Sequence, residues 1–304
     1  MTPRAWLLFA LSSVIWGLPY LFIKVAVDAD IPPAFIAWSR VALGAVLVLP
    51  LAWWRGVLPG LRSRCWPIAA FAACEIAVPF ILIAIGERHL SSSLTAILIA
   101  SMPLLVALLS TRFSPADKPT GLRLFGLFIG LGGVVALLGV DVAGRPDELL
   151  GAALVLVAAL AYATAAIIVD RRLADLDPLG PVAASLCLAT LALLPSALAT
   201  PPPRVATLSL AALGSLAGLG VVCTALGLVV FFQLIAAAGP SRASVITYVN
   251  PVVAVVLGVL VLHEHLGLMS VAGLLLILAG SWLSTGGGRS RIGPLADRAA
   301  ELTP

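Results

Sequence analysis

The chain has 304 residues, of which 61% are hydrophobic and 11% are charged, and its formal net charge is +4. Soluble domains carry about 25% charged residues, so this chain has too few polar side chains to cover a soluble fold. Several charge-poor stretches exceed the roughly 18 apolar residues that mark a membrane-spanning helix. The composition therefore excludes an ordinary soluble protein and predicts an all-α integral membrane protein.

Ten apolar segments, separated by short charged or Pro/Gly-rich breaks, are predicted to span the membrane. They lie near residues 5–25, 33–53, 66–86, 92–111, 121–139, 149–169, 178–199, 208–236, 243–262 and 267–285. The first segment is too long for the hydrophobic part of a signal peptide and no cleavage site follows it, so we expect it to be retained. The polar tail, residues 286–304, is predicted to be disordered.

The distribution of basic residues predicts the orientation. Ten spans place both chain ends on the same side of the membrane. If that side is the cytoplasm, thirteen of the 18 Lys and Arg residues face it and five face outward. This asymmetry agrees with the positive-inside rule. We therefore expect a multi-pass protein of a bacterial-type inner membrane, with both termini and the tail in the cytoplasm.

The sequence also contains an internal repeat. The segment HLSSSLTAILIASMPLLVALLS aligns with AGPSRASVITYVNPVVAVVLGV at an offset of 148 residues, and FGLFIGLGGV aligns with AGLLLILAGS at 147. The matched positions are Pro103 with Pro251, Gly126 with Gly273, and Gly133 with Gly280. The repeat units, residues 5–139 and 148–285, hold five spans each. Because five is odd, the second unit enters the membrane from the opposite side, which predicts two inverted-topology five-helix repeats.

Glu75, in the third segment, is the acidic residue placed nearest the middle of any predicted span. A carboxylate at that depth costs about 2.5–3.5 kcal/mol on insertion scales. Lys24 and Arg40 are expected in the outer parts of their helices, too far away to neutralise it. Glu75 is either a proton carrier or cation-recognising group, or a buried carboxylic acid that is neutral and hydrogen-bonded.

Aromatic side chains form a second group of candidates. Trp16 and Tyr20 are four residues apart and share one face of the first helix, which Gly17 and Pro19 also interrupt. Tyr162 occupies a comparable position in the sixth helix, the repeat partner of the first. These aromatic side chains either line a cavity or pack against neighbouring helices.

Prolines in the fourth and ninth segments form a matched pair. Ser101, Met102 and Pro103 align with Val249, Asn250 and Pro251. Proline removes a backbone hydrogen bond, and inverted-repeat transporters often place their binding sites at such paired interruptions near the midplane. We expect helix breaks at these prolines and at Pro79 in the third segment. The alternative is that the prolines only kink packed helices.

No motif predicts catalysis or a metal centre. The sequence His263-Glu264-His265 lies on a short loop without a third ligand, so we expect solvated polar residues there. Nucleotide-binding loops and hydrolase motifs are absent from the sequence. We therefore expect no enzyme activity, no cofactor, no metal and no nucleic-acid partner.

From residue 5 to 285 the chain resembles the EamA-type transporters of the drug/metabolite transporter (DMT) superfamily. The resemblance rests on Trp16-Gly17, on Lys24, on the entry to the second helix from Pro33 to Arg40, and on the two aligned segments, the later one continuing as LVLHE. The closing GLLLILAG completes it. The sequence departs from the family pattern at Asp117, where Glu is usual, and around Glu264.

This resemblance implies ten helices in two inverted repeats, export of small polar metabolites and a central cavity. It makes cavity candidates of Trp16, Tyr20, Glu75, Tyr162, Gln233, Tyr248 and Asn250. Ser101 joins them because it stands beside the matched proline.

Within the family the chain looks closest to bacterial exporters of neutral and aromatic amino acids, since an aromatic cavity with few fixed charges suits such zwitterions. We expect a secondary transporter working by alternating access, with a small molecule, the lipid bilayer and, through Glu75, protons as partners. A multidrug or organic-cation efflux transporter is the first alternative, because aromatic rings also bind cations. A membrane scaffold without transport activity is a more distant one.

Overall fold

The computed structural model describes residues 1–113, 120–139, 145–201 and 208–285, and across these ranges all regular structure is helical. Seven helices are long and apolar enough to cross a membrane: α1 Pro3–Asp28, α2 Pro33–Trp54, α3 Pro59–Gly86, α4 Ser92–Arg112, α6 Pro146–Leu173, α7 Leu179–Ala199 and α8 Leu210–Ala238. Three shorter apolar helices are α5 Leu122–Leu137, α9 Ile246–Val261 and α10 Leu268–Ser284. The prediction of an all-helical chain rich in membrane-spanning helices is confirmed. Asp117 and the predicted tail, residues 286–304, lie outside the described residues.

Local sequence explains where several helices begin. The hydroxyl of Thr2 accepts a hydrogen bond from Ala5 N at 3.3 Å, and Ser91 Oγ accepts one from Leu94 N at 3.1 Å. Ser209 caps α8 in the same way. Proline occupies the first turn of α1, α2, α3 and α6, where its missing N–H would have no helical partner.

The third and eighth helices contain the widest irregular turns. In α3 the segment Ala72–Ala77 is π-helical, and in α8 the segment Gly218–Leu226 is π-helical. These helices occupy the same place in the two predicted repeats. A π-turn shifts the following side chains around the helix axis and is frequent at functional sites. Glu75 lies in the first of these segments.

The helices with predicted proline breaks behave differently from one another. α4 is interrupted at Ala100 and Ser101 and resumes at Met102, one residue before Pro103. α9 continues without a gap through Pro251, so the break expected at that proline does not occur there. The ninth span instead bends at residues 244–245, between the short helix Pro240–Ala243 and α9. In α3, Pro79 follows the π-helical segment Ala72–Ala77 and the helix continues through it to Gly86, so no gap occurs at this proline either. Its missing N–H leaves one carbonyl of the preceding turn without a helical donor.

Glycines bring α5 and α10 into close contact. A side chain at Gly126 would collide with Ser284 N and Gly280 O, at 2.8 and 2.9 Å, and one at Gly133 would lie 3.1 Å from Gly273 O. Gly126, near the start of α5, thus contacts Gly280, near the end of α10. Gly133, near the end of α5, contacts Gly273, near the start of α10. The two helices therefore run antiparallel, with backbones as close as small residues allow.

Helix packing follows one pattern in both halves. α2 packs against α7, α4 against α9 and α5 against α10. α1 packs against α8 and α9, and its counterpart α6 packs against α3 and α4. Each helix of the first half corresponds to the helix five places later, so that α1 corresponds to α6 and α2 to α7. Each of these contacts has its counterpart between the corresponding helices. Trp16, Tyr20, Glu75 and Tyr162 lie on α1, α3 and α6, of which α1 packs against α2 and α8, and α3 packs against α2 and α6.

Candidate functional site

Trp16 lies in the interface between α1 and α8. Its ring stacks at a tilt on Phe231, with centroids 4.6 Å apart. A Cβ at Gly227 would lie only 2.7 Å from Trp16 Nε1, so the glycine makes room for the indole. Trp16 is half-buried and forms part of an apolar wall between the two helices.

Tyr20, Glu75 and Tyr162 come from α1, α3 and α6 and are all half-buried. Within the described part of the chain, no hydrogen bond or ion pair engages the side chain of any of the three. Polar groups without partners are costly inside an apolar bundle. Three of the predicted cavity residues therefore share one property, a polar group without a partner among the described residues.

Arg40 is a residue that was not among the site candidates predicted from the sequence. It was expected in the outer part of α2, and the structure adds that its side chain is buried to 9% exposure among α2, α3 and α8. Its Nε donates to Thr224 Oγ1 at 3.2 Å, and its guanidinium carbon stands 3.8 Å from the centre of the Phe80 ring. The available signal was its position seven residues after Pro33, which is about 10 Å along a helix.

These groups lie near one another in the bundle. Arg40 is close enough to Tyr20 and to Tyr162 for their charged forms to influence each other, and the same holds for Tyr162 and Glu75. We call Tyr20, Arg40, Glu75 and Tyr162 the central polar cluster. It combines one basic group, one acidic group and two phenols, supplied by four different helices.

Of the remaining predicted residues, Ser101, Tyr248 and Asn250 form hydrogen bonds within the protein. With its amide oriented to suit its neighbours, Asn250 Nδ2 donates to Ile246 O at 2.9 Å and to Ser13 O at 3.3 Å, which ties α9 to α1. Tyr248 hydrogen-bonds Thr285 at 2.8 Å, and Ser101 Oγ donates to Leu98 O at 2.6 Å. Gln233 lies on an exposed face of α8.

A second polar group lies where α3 ends and α4 begins. The carboxylate of Glu264 accepts hydrogen bonds from Ser92 N at 2.7 Å and Ser93 N at 3.0 Å, and also from Ser93 Oγ. His263 adopts a left-handed backbone conformation with φ 55°, which turns the chain back toward α4. The acidic side chain of the predicted loop thus caps a helix of the other half.

Glu87, one residue after α3, belongs to this second group. Its side chain is fully buried and neither carboxylate oxygen has a partner among the described residues. Lys24 Nζ donates to the backbone carbonyl of Glu87 at 3.0 Å and pairs with Asp28 at 3.1 Å. Burial raises the pKa of Glu87 well above its usual range, with Lys24 opposing the shift and Glu264 and Asp28 adding to it.

Two further features lie apart from the central polar cluster. No cluster of three or more His, Cys, Asp or Glu residues suited to a metal occurs in the described ranges. A small groove between α2 and α7 is lined by Phe35, Trp38, Leu194, Ala197, Leu198 and Thr200. Its lining is almost wholly apolar and includes none of the predicted site residues.

A helical membrane bundle with unsatisfied polar groups in its interior is typical of proteins that move small polar molecules across a bilayer. Comparison with known proteins gives the family. A family model of EamA-like transporters matches residues 4–139 and 149–286, so the chain belongs to this family. It is a multi-pass membrane protein of the drug/metabolite transporter superfamily.

Several individual proteins are similar over most of their length. The uncharacterized transporter YvbV of Bacillus subtilis is 27% identical over 280 residues, covering 90% of this chain and 89% of its own. The uncharacterized inner membrane transporter YedA of Escherichia coli K12 is 28% identical over 260 residues, covering 83% and 80%. A solved crystal structure of a protein with 21% identity shares the fold, with a TM-score of 0.63 over 94% of this chain and 97% of the other.

Proposed function

We propose that this protein is a secondary transporter that exports neutral and aromatic amino acids from a bacterial cell by alternating access. The membership in a transporter family supports the transport activity. The substrate class and the direction of transport are our proposals. The mechanism would use the central polar cluster as the binding site and the two repeats as the moving parts.

The packing of α5 and α10 supports inverted repeats, with units 5–139 and 148–285 and ten spanning helices. Gly126 and Gly273 are equivalent by sequence, as are Gly133 and Gly280, yet Gly126 meets Gly280 and Gly133 meets Gly273. Two equivalent helices that run antiparallel cross the membrane in opposite directions. With an inverted pair of repeats, rocking one against the other can expose a central site to either side. The basic residues favour cytoplasmic termini.

The observation that carries the proposal is the unsatisfied state of Tyr20, Glu75 and Tyr162. A purely structural interior would leave such groups paired, because each unpaired one costs free energy in a low-dielectric medium. A substrate with polar and aromatic parts would satisfy them, and Trp16 would provide an apolar wall. We propose that the cavity is lined by these four residues together with Ser101, Gln233, Tyr248 and Asn250.

The test is transport by the purified full chain in proteoliposomes. We expect counterflow of radiolabelled phenylalanine, and loss of most of it in Glu75→Gln and Tyr162→Phe. Glu148→Gln is the matched control, because Glu148 forms an exposed ion pair with Arg145 at 2.9 Å, outside the cluster. Normal flux in both cluster variants would overturn the site. Faster transport under an imposed pH gradient, abolished in Glu75→Gln, would support proton coupling through this residue.

One observation favours the organic-cation alternative, namely that the Glu75 carboxylate has no ion-pair partner among the described residues. Arg40 in the same cluster opposes it, since a fixed positive charge repels a cationic substrate. Vesicles that transport tetraphenylphosphonium but no amino acid would favour this alternative. A scaffold without transport would carry neither solute.

A further inference from the structure

We infer that Arg40 binds the carboxylate of the exported solute, so that the site selects carboxylate-bearing zwitterions over cationic and uncharged analogues. This inference rests on the proposed function and names the group that would recognise the acid end of an amino acid. It begins from a buried charge for which the described protein supplies no counter-charge.

A guanidinium stays protonated in proteins and cannot escape burial by losing its proton. A buried charge without a partner destabilises a protein, because the charge has lost its hydration and gains no counter-charge. Arg40 takes part in none of the ion pairs of the described residues, which include Lys24–Asp28, Arg64–Asp175 and Arg145–Glu148. The missing negative charge is what a substrate carboxylate would bring.

The donors of Arg40 are only partly used. Its Nε–H is bonded to Thr224, whereas no acceptor among the described residues engages either Nη nitrogen. Those two nitrogens carry four N–H groups in a planar fork, which matches both oxygens of a carboxylate. Arg40 thus keeps free the part of its side chain that binds carboxylates best.

Thr224 and Phe80 hold the fork in place. Thr224 Oγ1 donates its own proton to Leu219 O at 2.8 Å, so its lone pairs remain to accept from Arg40 Nε. This five-residue backward bond lies within the π-helical segment of α8. Phe80 stacks on the guanidinium from α3. Both are positioning residues, because they act through Arg40.

Glycines allow these helices to meet at Arg40. A Cβ on Gly44 would lie 2.7 Å from Thr224 Cγ2, and one on Gly220 would lie 3.3 Å from the Arg40 carbonyl oxygen and collide with Leu43. The α2–α8 contact is therefore tight on both sides of the arginine. A site built to this tolerance places the guanidinium at one depth and one orientation.

Glu75 carries the second charge of the central polar cluster. Glu75 lies near Tyr162, and Tyr162 lies near Arg40, yet Glu75 and Arg40 form no ion pair. Glu75 therefore does not neutralise Arg40, and the carboxylate that Arg40 lacks is left for the solute to provide. Trp16 and the two tyrosines would contact the side chain of that solute.

The experiment measures inhibition of phenylalanine counterflow by matched analogues in proteoliposomes holding the full chain. The analogues are phenylalanine, its carboxamide, which lacks the carboxylate, and 3-phenylpropionate, which lacks the ammonium group. For the unaltered protein we expect the carboxamide to bind at least tenfold more weakly than phenylalanine, because each factor of ten corresponds to about 1.4 kcal/mol. Equal affinities would overturn the inference even if no variant can be purified.

Variants separate binding from folding. Arg40→Gln should weaken phenylalanine and 3-phenylpropionate at least tenfold and leave the carboxamide unchanged, while Arg40→Lys retains part of the affinity. Thr224→Val should weaken the two carboxylates to a smaller degree, since it only releases the fork. Arg145→Gln, in an exposed ion pair, is the matched control. Equal weakening of all three ligands, or of none, would overturn the inference.

The outcomes also distinguish the inference from the proposed function. Transport of phenylalanine with no role for Arg40 would leave the function standing and remove the inference. Transport of 3-phenylpropionate in place of phenylalanine, lost in Arg40→Gln, would remove the amino-acid proposal and keep the carboxylate site. Vesicles that carry neither solute would overturn both.

Discussion

Glu264 accepts the backbone N–H of Ser92 at 2.7 Å, which joins the turn between α9 and α10 to the first residue of α4 across 172 positions of sequence. The contact places a carboxylate at the positive end of a helix dipole and satisfies N–H groups that the helix itself leaves free. Because the two residues belong to different halves of the chain, the bond fastens one half to the other.

Loss of this cap should destabilise the protein. We expect Glu264→Ala to lower the stability by about 1–2 kcal/mol, as for other strong helix caps, and Glu264→Gln to lower it less. Apparent melting temperature, followed by size-exclusion after heating, measures the effect. Glu148→Ala serves as the exposed control. A Glu264→Ala variant as stable as the parent would contradict the capping role.

Adjacent glycines of α5 offer a matched comparison. A methyl group at Gly133 would come within 2.8 Å of Leu276 Cβ and 3.1 Å of Gly273 O, whereas nothing lies within 4 Å of one at Gly132. We expect Gly133→Ala to destabilise by about 1–3 kcal/mol through overpacking, and Gly132→Ala to be neutral or slightly stabilising. Thermal unfolding of both variants tests this. Equal effects would disprove the close approach of α5 and α10.

The burial of Glu87 predicts that the stability of the protein depends on pH and falls as the pH rises. Its pKa in the folded protein is raised above the value of about 4.3 for an unfolded chain. The folded state therefore binds more protons between these two values, and its stability falls as pH rises through that window. We expect the melting temperature to decline from pH 4.5 upward, and the decline to be smaller in Glu87→Gln. Glu148→Gln should retain the full decline.

Asn250 ties two helices together and stays a proposed cavity residue. Its Nδ2 donates to Ile246 O and to Ser13 O on α1. Interhelical hydrogen bonds in membranes contribute about 0.6 kcal/mol on average, so we expect Asn250→Leu to lower the melting temperature modestly. Val249→Leu controls for the added bulk. An unchanged melting temperature would contradict the tether, and a weaker affinity for phenylalanine at equal folding would place the Oδ1 atom in the site.

Much of the architecture could be predicted because it depends on short-range patterns. The span limits follow from apolar runs and from caps such as Thr2 and Ser91. The paired glycines were visible as a repeat, and the structure adds that equivalent glycines meet in reverse order. Helix breaks were less predictable, since α9 accommodates Pro251 without a gap while α4 breaks before Pro103.

The site depended on relationships that no local pattern contains. Glu75 was recognised because an acidic residue in an apolar run is conspicuous. Tyr20 was recognised because it shares a helix face with Trp16, and Tyr162 because it holds a comparable position in the repeat partner. Arg40 was not among the candidates because its burial and its partners depend on how α2 meets α8, and Thr224 lies 184 residues away.

The sequence by itself determined that this is a helical membrane protein with a repeat, because hydrophobic length and glycine spacing act within single helices. Only the tertiary structure decided which polar groups are left without partners. Hydrogen bonding and charge pairing are satisfied between helices, so the unsatisfied fork of Arg40 becomes visible only once all its neighbours are in place.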